Sequence, residues 1–229
     1  MIKTKANDEQ RILNGAYMTD RVYFRSDSLE MNTSVVSCRA HENGLYRIVL
    51  LATLFHPQGG GQPSDKGMIN DVNVVQVFLD QGEVVHLTDG PVEIGVVILK
   101  VDAAWRKLHT RYHSAGHLIT AVSERYGWVG LKGNHWPGES RVTLNPSNNP
   151  ISLTEQMLAI AVAELVTQNL PRVIAEKDGK RTVRWGPLAE SACGGTHVQT
   201  TGEIGAVQII RARLKKGQLS VQYELSTQE

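Results

Sequence analysis

Two cysteines, Cys38 and Cys193, are all that the 229 residues contain. So few thiols in a chain this long make no disulfide framework, which excludes the class of small cross-linked secreted domains. No apolar run approaches the ~20 residues that a membrane-spanning helix needs. The opening stretch lacks the apolar core of a secretory leader, so a cytoplasmic location without membrane association is expected. Neither sign of charge predominates: 24 Lys and Arg against 23 Asp and Glu leave a net charge of +1, which argues against a wholesale basic coating for nucleic acid. Internal repeats and low-complexity tracts are absent as well.

What remains is an ordinary globular composition, 41% hydrophobic and 21% charged. The length suffices for one large domain or two modest ones, each with a core. Charge is unevenly spread. The first hundred residues hold 9 basic and 12 acidic side chains, the remainder 15 and 11. A modest basic bias in the second half suits a polyanionic partner. The first ~14 residues are polar and are expected to be loosely ordered.

Segments such as YRIVLLATLF, VNVVQVFL and VEIGVVILKVD are short, rich in Val, Ile and Leu, and separated by Gly, Asn or Asp. They predict a small barrel or sandwich over residues 1–100. At Asp102 the pattern changes. Leu108, Tyr112, Ala115, Leu118, Ile119 and Val122 follow helical spacing, with Asp102 as N-cap and Gly127 as the residue past the end. A second helix is expected from Leu153 to Leu170, opened by a capping box of Ser152 and Glu155. Strand-like pieces follow, the last two joined by a hairpin turn at Lys215-Lys216-Gly217. Residues 101–229 are therefore expected to form an α+β domain with two helices against a mostly antiparallel sheet.

His113 and His117 lie four apart on the first expected helix, which puts both imidazoles on one face. Such a pair can chelate one ion, as in the helical motif of zinc proteases. Here the intervening residues are Ser-Ala-Gly, so a protease's glutamate base is missing. Cys193-Gly-Gly-Thr-His197 adds a thiolate and an imidazole, with glycines that permit a left-handed turn back onto the ion. One thiolate with three imidazoles suits a single zinc, whereas magnesium and calcium prefer oxygen. His109, one turn earlier, is an alternative ligand. His41, His56, His86 and His135 are assigned to the surface or to strand ends. The stretch from His56 to Asp65 holds three successive glycines, either as a plain turn or as a loop whose amides approach a ligand. It is not a Walker loop.

Tyr112-His-Ser-Ala-Gly-His-Leu118 resembles the HxxxH motif of the alanyl-tRNA synthetase editing domain. Cys193 to Gly205 resembles that family's CxxxH segment nearly letter for letter, and Gly59 to Asp65 resembles its glycine-rich motif. Order and spacing agree over about residues 15–225. The chain is thus similar to the AlaX-type free-standing editing proteins of the medium-length class, with Thr196 siding with the alanyl type against the threonyl type. The resemblance implies a small N-terminal β-barrel followed by an editing domain of the threonyl/alanyl-tRNA synthetase type, and no synthetase catalytic domain. It implies ATP-independent, zinc-dependent hydrolysis of alanine tRNA mischarged with serine or glycine, with the acceptor end as partner and no obligatory protein partner.

In that setting His113, His117, Cys193 and His197 are the zinc ligands. Gly59, Gly60, Gly61 and Gln62 shape the pocket or cradle the terminal adenosine. Gly116, where relatives often carry a larger residue, enlarges the space beside the metal. Thr143 is a candidate to pair with a seryl hydroxyl. Arg106, Lys107, Arg111, Arg211, Arg213, Lys215 and Lys216 are candidates for phosphate contacts. Catalytic groups beyond zinc are not identified, because four protein ligands resemble a closed structural shell. The rival readings are a zinc-stabilised RNA-binding module without hydrolysis, and a zinc hydrolase of small esters or amides.

Overall fold

The computed structural model describes residues 12–13 and 16–226; the expectation for the first residues lies largely outside them. Contacts divide the chain into two compact units, residues 1–59 with 64–106, and residues 60–63 with 107–229. The expected boundary at 100/101 thereby moves into the first turn of a helix. The glycine-rich loop is divided, with Gly59 in the first unit and Gly60, Gly61 and Gln62 in the second.

In the first unit, β1 (Glu30–Ala40), β2 (Tyr46–Leu50), β3 (Gly67–Ile69), β4 (Val72–Asp80), β5 (Glu83–Thr88) and β6 (Gly95–Val101) pair antiparallel in the closed order β6-β1-β2-β5-β4-β3. Alternation explains the inner face. Val97, Leu99 and Val101 are buried while Val96 and Ile98 are exposed. Register shifts between Val35 and Ser37 and between Val74 and Gln76 supply bulges that bend the strands. Ile48, Leu50, Phe55, Val77 and Leu99 form the centre of the core. Asp102 caps the helix that follows, its Oδ1 accepting from the Trp105 N–H at 2.9 Å. Arg106 is buried against Asp65 and donates to the Leu54 carbonyl at 2.6 Å. It is committed inside this unit and is not presented to phosphate, contrary to the sequence expectation.

The second unit contains most of α1 (Ala103–Glu124), then β7 (Trp128–Asn134), β8 (Arg141–Pro146), α2 (Glu155–Thr167), β9 (Arg172–Lys177), β10 (Lys180–Trp185), β11 (Ser191–Ala192), β12 (Val207–Lys215) and β13 (Gln218–Leu225). Two antiparallel sheets result, ordered β7-β8-β13-β12 and β9-β10-β11. Val142 opposite Val221 and Leu144 opposite Leu219 turn one face of the larger sheet inward. Ala115, Leu118, Ile119 and Val122 of α1 and Leu158, Val162 and Leu165 of α2 complete that core. This is the expected α+β arrangement of two helices with antiparallel sheets. Thr154, not Ser152, caps α2, accepting from the Met157 N–H at 3.2 Å. Glu155 instead accepts from the Ala212 N–H at 2.8 Å. Lys216 and Gly217 both have positive φ, as a two-residue hairpin turn of this hand requires. Among the described residues no helix is long and apolar enough to cross a membrane.

Three histidines assigned to the surface or strand ends, His56, His86 and His135, are buried. His86 donates from Nδ1 to the Ile48 carbonyl at 3.2 Å and pairs through Nε2 with Thr53 Oγ1 at 2.8 Å. Both nitrogens are satisfied by a neutral ring, and burial lowers its pKa from 6.5 to about 4. Between those pH values the unfolded chain binds a proton that the folded chain refuses. Stability is therefore present above pH 6.5 and is lost as pH falls toward 4, at about 1.4 kcal/mol per pH unit for this group. Denaturant titrations from pH 7 to pH 4 should show a shallower loss in His86→Gln than in the parent chain; parallel profiles would refute the assignment.

Candidate metal centre

The HxxxH spacing on α1 sets the His113 and His117 rings 5.0 Å apart and 20° from parallel. The loop after β11 brings Cys193 and His197 to the same place. The donor atoms of His113, His117, Cys193 and His197 all lie within 4.8 Å of one another. His109 is buried elsewhere on the helix and is not in this group. His117 Nε2 is 3.2 Å from His197 Nε2, and Cys193 Sγ is 3.4 Å from His113 Nε2. A tetrahedral zinc with Zn–N of ~2.0–2.1 Å and Zn–S of ~2.3 Å would place its ligand atoms roughly 3.3 Å and 3.6 Å apart. The four residues thus fit a metal ion of that size and preference.

The imidazole protonation points the same way, whereas the thiol must first lose its proton. Burial, with Arg181 nearby, lowers the His117 pKa to about 4, leaving its ring neutral. Burial pushes the Cys193 thiol up. A cation bound here would have to displace that proton, so metal affinity must fall with pH.

Side chains around the ligands fix their orientation. His113 Nδ1 donates to Gln62 Oε1 at 2.5 Å, which frees Nε2 as the ligating atom. Gln62 is fully buried; its amide donates to Thr196 Oγ1 at 2.8 Å, and the Thr196 N–H returns to Gln62 Oε1 at 3.1 Å. Arg181 donates to the carbonyls of Cys193 and Gly195 at 2.7 and 3.1 Å. Ser114 Oγ accepts from the Val198 N–H at 3.1 Å, tying the loop to α1. Gly195 has no left-handed backbone. Its glycine is required by space, since a Cβ would stand 2.1 Å from His113 Cε1.

A pocket of about 320 Å³ opens beside this group, lined by Gly60, His113, Gly116, His117, His135 and Cys193 among others. Gly61 anchors the glycine loop to the end of β7: its carbonyl accepts from the His135 N–H at 2.9 Å, and a Cβ there would meet the Gly133 carbonyl at 2.3 Å. The seryl-pairing candidate, Thr143, does not line the pocket. Strand alternation turns its neighbour Val142 there instead. Gly116 does not enlarge the pocket either. The room left by its missing side chain is filled by the His135 imidazole, whose Cε1 would stand 2.4 Å from a Cβ. Gly133 makes room on another side, a Cβ there falling 2.4 Å from His135 Nε2. Among the basic candidates, Lys107, Arg211, Arg213, Lys215 and Lys216 are exposed. Arg111 is buried, with Nε donating to the Ile204 carbonyl at 3.0 Å.

The sequence reading missed His135, Tyr223, Thr120 and Glu124. Thr120 and Glu124 continue the helical face of His113 and His117 at spacings of seven and eleven and were detectable; both line the pocket. His135 had no spacing signal.

The family described as Threonyl and Alanyl tRNA synthetase second additional domain matches residues 181–220, the stretch that carries Cys193 and His197. Alanyl-tRNA editing protein AlaX-L of Pyrococcus horikoshii is 27% identical over 223 residues, covering 85% of this chain and 54% of that protein. Alanyl-tRNA editing protein Aarsd1 of Bos taurus is 31% identical over 216 residues, covering 79% and 48%. The chain is a homologue of the alanyl-tRNA editing proteins. It spans about half the length of these relatives. The alanine–tRNA ligase of Korarchaeum cryptofilum is also similar, 31% identical over 73% of this chain and 22% of its own length.

Two outcomes are expected of this homologue. Purified chain should carry about one metal ion per molecule by elemental analysis, dropping toward zero in His117→Ala/Cys193→Ala and releasing metal as pH falls; full metal content in that variant would disprove the ligand set. Gly116→Ala should destabilise by roughly 1–3 kcal/mol through overpacking. His135→Ala in the same chain should relieve much of that loss, so additive effects in a double-mutant cycle would contradict the packing described.

Proposed function

We propose that the chain is a trans-editing hydrolase that deacylates alanine tRNA wrongly charged with serine or glycine, acting in the cytoplasm on the acceptor end without ATP. The observation that carries this reading is the His113, His117, Cys193 and His197 cluster opening on a small pocket, in a homologue of alanyl-tRNA editing proteins. In this reading the first compact unit is the barrel domain, and the second, which carries the metal-ligand cluster, is an editing domain of the threonyl/alanyl type.

Water attacks the ester carbonyl; the bond to the terminal ribose oxygen breaks, and free amino acid and uncharged tRNA leave. The four ligands would hold one zinc, which supplies Lewis-acid polarisation or a fixed point for the substrate's amino group. The chain's own groups do the rest. Gln62 keeps His113 in one tautomer and orientation. Gly60, which lines the pocket, allows the aminoacyl end a close backbone approach. Lys107, Arg211, Arg213, Lys215 and Lys216 offer exposed positive charge to tRNA phosphates.

The test is ester loss from seryl-, glycyl- and alanyl-tRNA(Ala), with and without chelator. Loss from the seryl or glycyl species, sparing alanyl-tRNA and falling at least ~100-fold in His117→Ala/Cys193→Ala, is the expected result. Intact esters with tRNA bound and metal retained would replace it with a metal-stabilised RNA-binding module.

A further inference from the structure

His135 lines the pocket beside His113, His117 and Cys193 yet contributes no atom to the ligand cluster. Its ring stacks on His113 at 4.6 Å and 17°, and occupies space that Gly116 and Gly133 leave open. Hydrogen bonds determine its tautomer. The Tyr223 hydroxyl donates its one proton to the Tyr112 carbonyl at 2.9 Å. It therefore accepts from His135, whose Nδ1 lies 2.6 Å away. A neutral imidazole carries a single N–H, so Nε2 holds a lone pair. Among the described residues nothing donates to Nε2, and it is not one of the buried atoms sealed without a partner. Its open side is therefore the pocket the ring lines.

We propose that His135 Nε2 accepts the hydroxyl of the aminoacyl side chain, making this residue the determinant that selects serine over side chains without a hydroxyl. The inference rests on the trans-editing reading above. It gives the pocket a polar contact that neither Val142 nor the occupied space at Gly116 supplies. The ring is held by stacking, two glycines and Tyr223, so the acceptor is in place before substrate arrives, the condition under which a hydroxyl is discriminated most strongly. The partner of Nδ1 is a neutral phenol and not a carboxylate. Nothing there would support an imidazolium, so the ring is suited to accept a hydrogen bond and not to remove a proton from water.

Glycine provides the internal control, because it has no side chain to pair. Deacylation of seryl- and glycyl-tRNA(Ala) would be measured for the parent chain, His135→Phe and His135→Gln. The seryl-to-glycyl rate ratio is expected to fall on the order of tenfold to a hundredfold in the phenylalanine variant and to recover in part in the glutamine variant, whose amide oxygen can accept. An unchanged ratio in His135→Phe overturns the inference. A measurement on the parent chain avoids any folding defect: adenosine carrying a non-hydrolysable 3′-seryl or 3′-alanyl amide would be added to 15N-histidine-labelled protein. The seryl compound alone is expected to shift His135 Nε2, and equal shifts with both overturn the inference. A parent chain that hydrolyses neither ester sinks the trans-editing reading instead, which the amide experiment distinguishes.

Discussion

Four lone-pair donors packed within 4.8 Å are a costly arrangement for a protein interior, and much of the second unit serves to impose it. His117 Nε2 and His197 Nε2 approach to 3.2 Å, and Cys193 Sγ comes within 3.4 Å of His113 Nε2. A single shared cation could satisfy all four together. The hydrogen bonds behind the ligands have one effect in common: they remove the freedom of these side chains to swing apart. Gln62 performs this for His113 from a loop some fifty residues upstream, Ser114 binds the CxxxH loop to the helix, and Arg181 holds the backbone on either side of Gly194.

The legible part of the chain was the part governed by short periods. The four-residue spacing of His113 and His117, the apolar stripe of α1 and its Asp102 cap follow from helix geometry alone. The Lys216-Gly217 turn is local backbone chemistry. The pairing of His113 with Gln62 is not local, and no spacing announces it. Capping of α2 was displaced by two residues because Thr154 can serve as well as Ser152, and the choice depends on where Glu155 finds a donor, on Ala212 of β12. Arg106 and Arg111 looked like surface charge because a sequence carries no burial. Tertiary packing places one against Asp65 and the other against the Ile204 carbonyl.

Glycine was the residue most easily misread. Flexibility is its usual explanation, and Gly61 and Gly217 do adopt positive φ. Gly116, Gly133 and Gly195 are there for another reason. Each lies where a methyl group would collide with an imidazole ring, at 2.4, 2.4 and 2.1 Å. The site is thus built from histidines and from the absences that accommodate them. The expectation that a small residue at 116 means a larger cavity failed because the vacated volume had already been taken.

That complementarity bears on how such a site is reached by descent. An imidazole at position 135 is crowded while position 116 carries a side chain. A glycine at 116 opposite a smaller residue at 135 leaves a tolerable void. The order of substitution is then constrained, with loss of the side chain on the helix preceding gain of the ring on the strand's end. Once both are in place, a side chain at 116 is costly while His135 remains. Two residues of the lining are thereby bound to each other, and neither can be exchanged at its own cost alone.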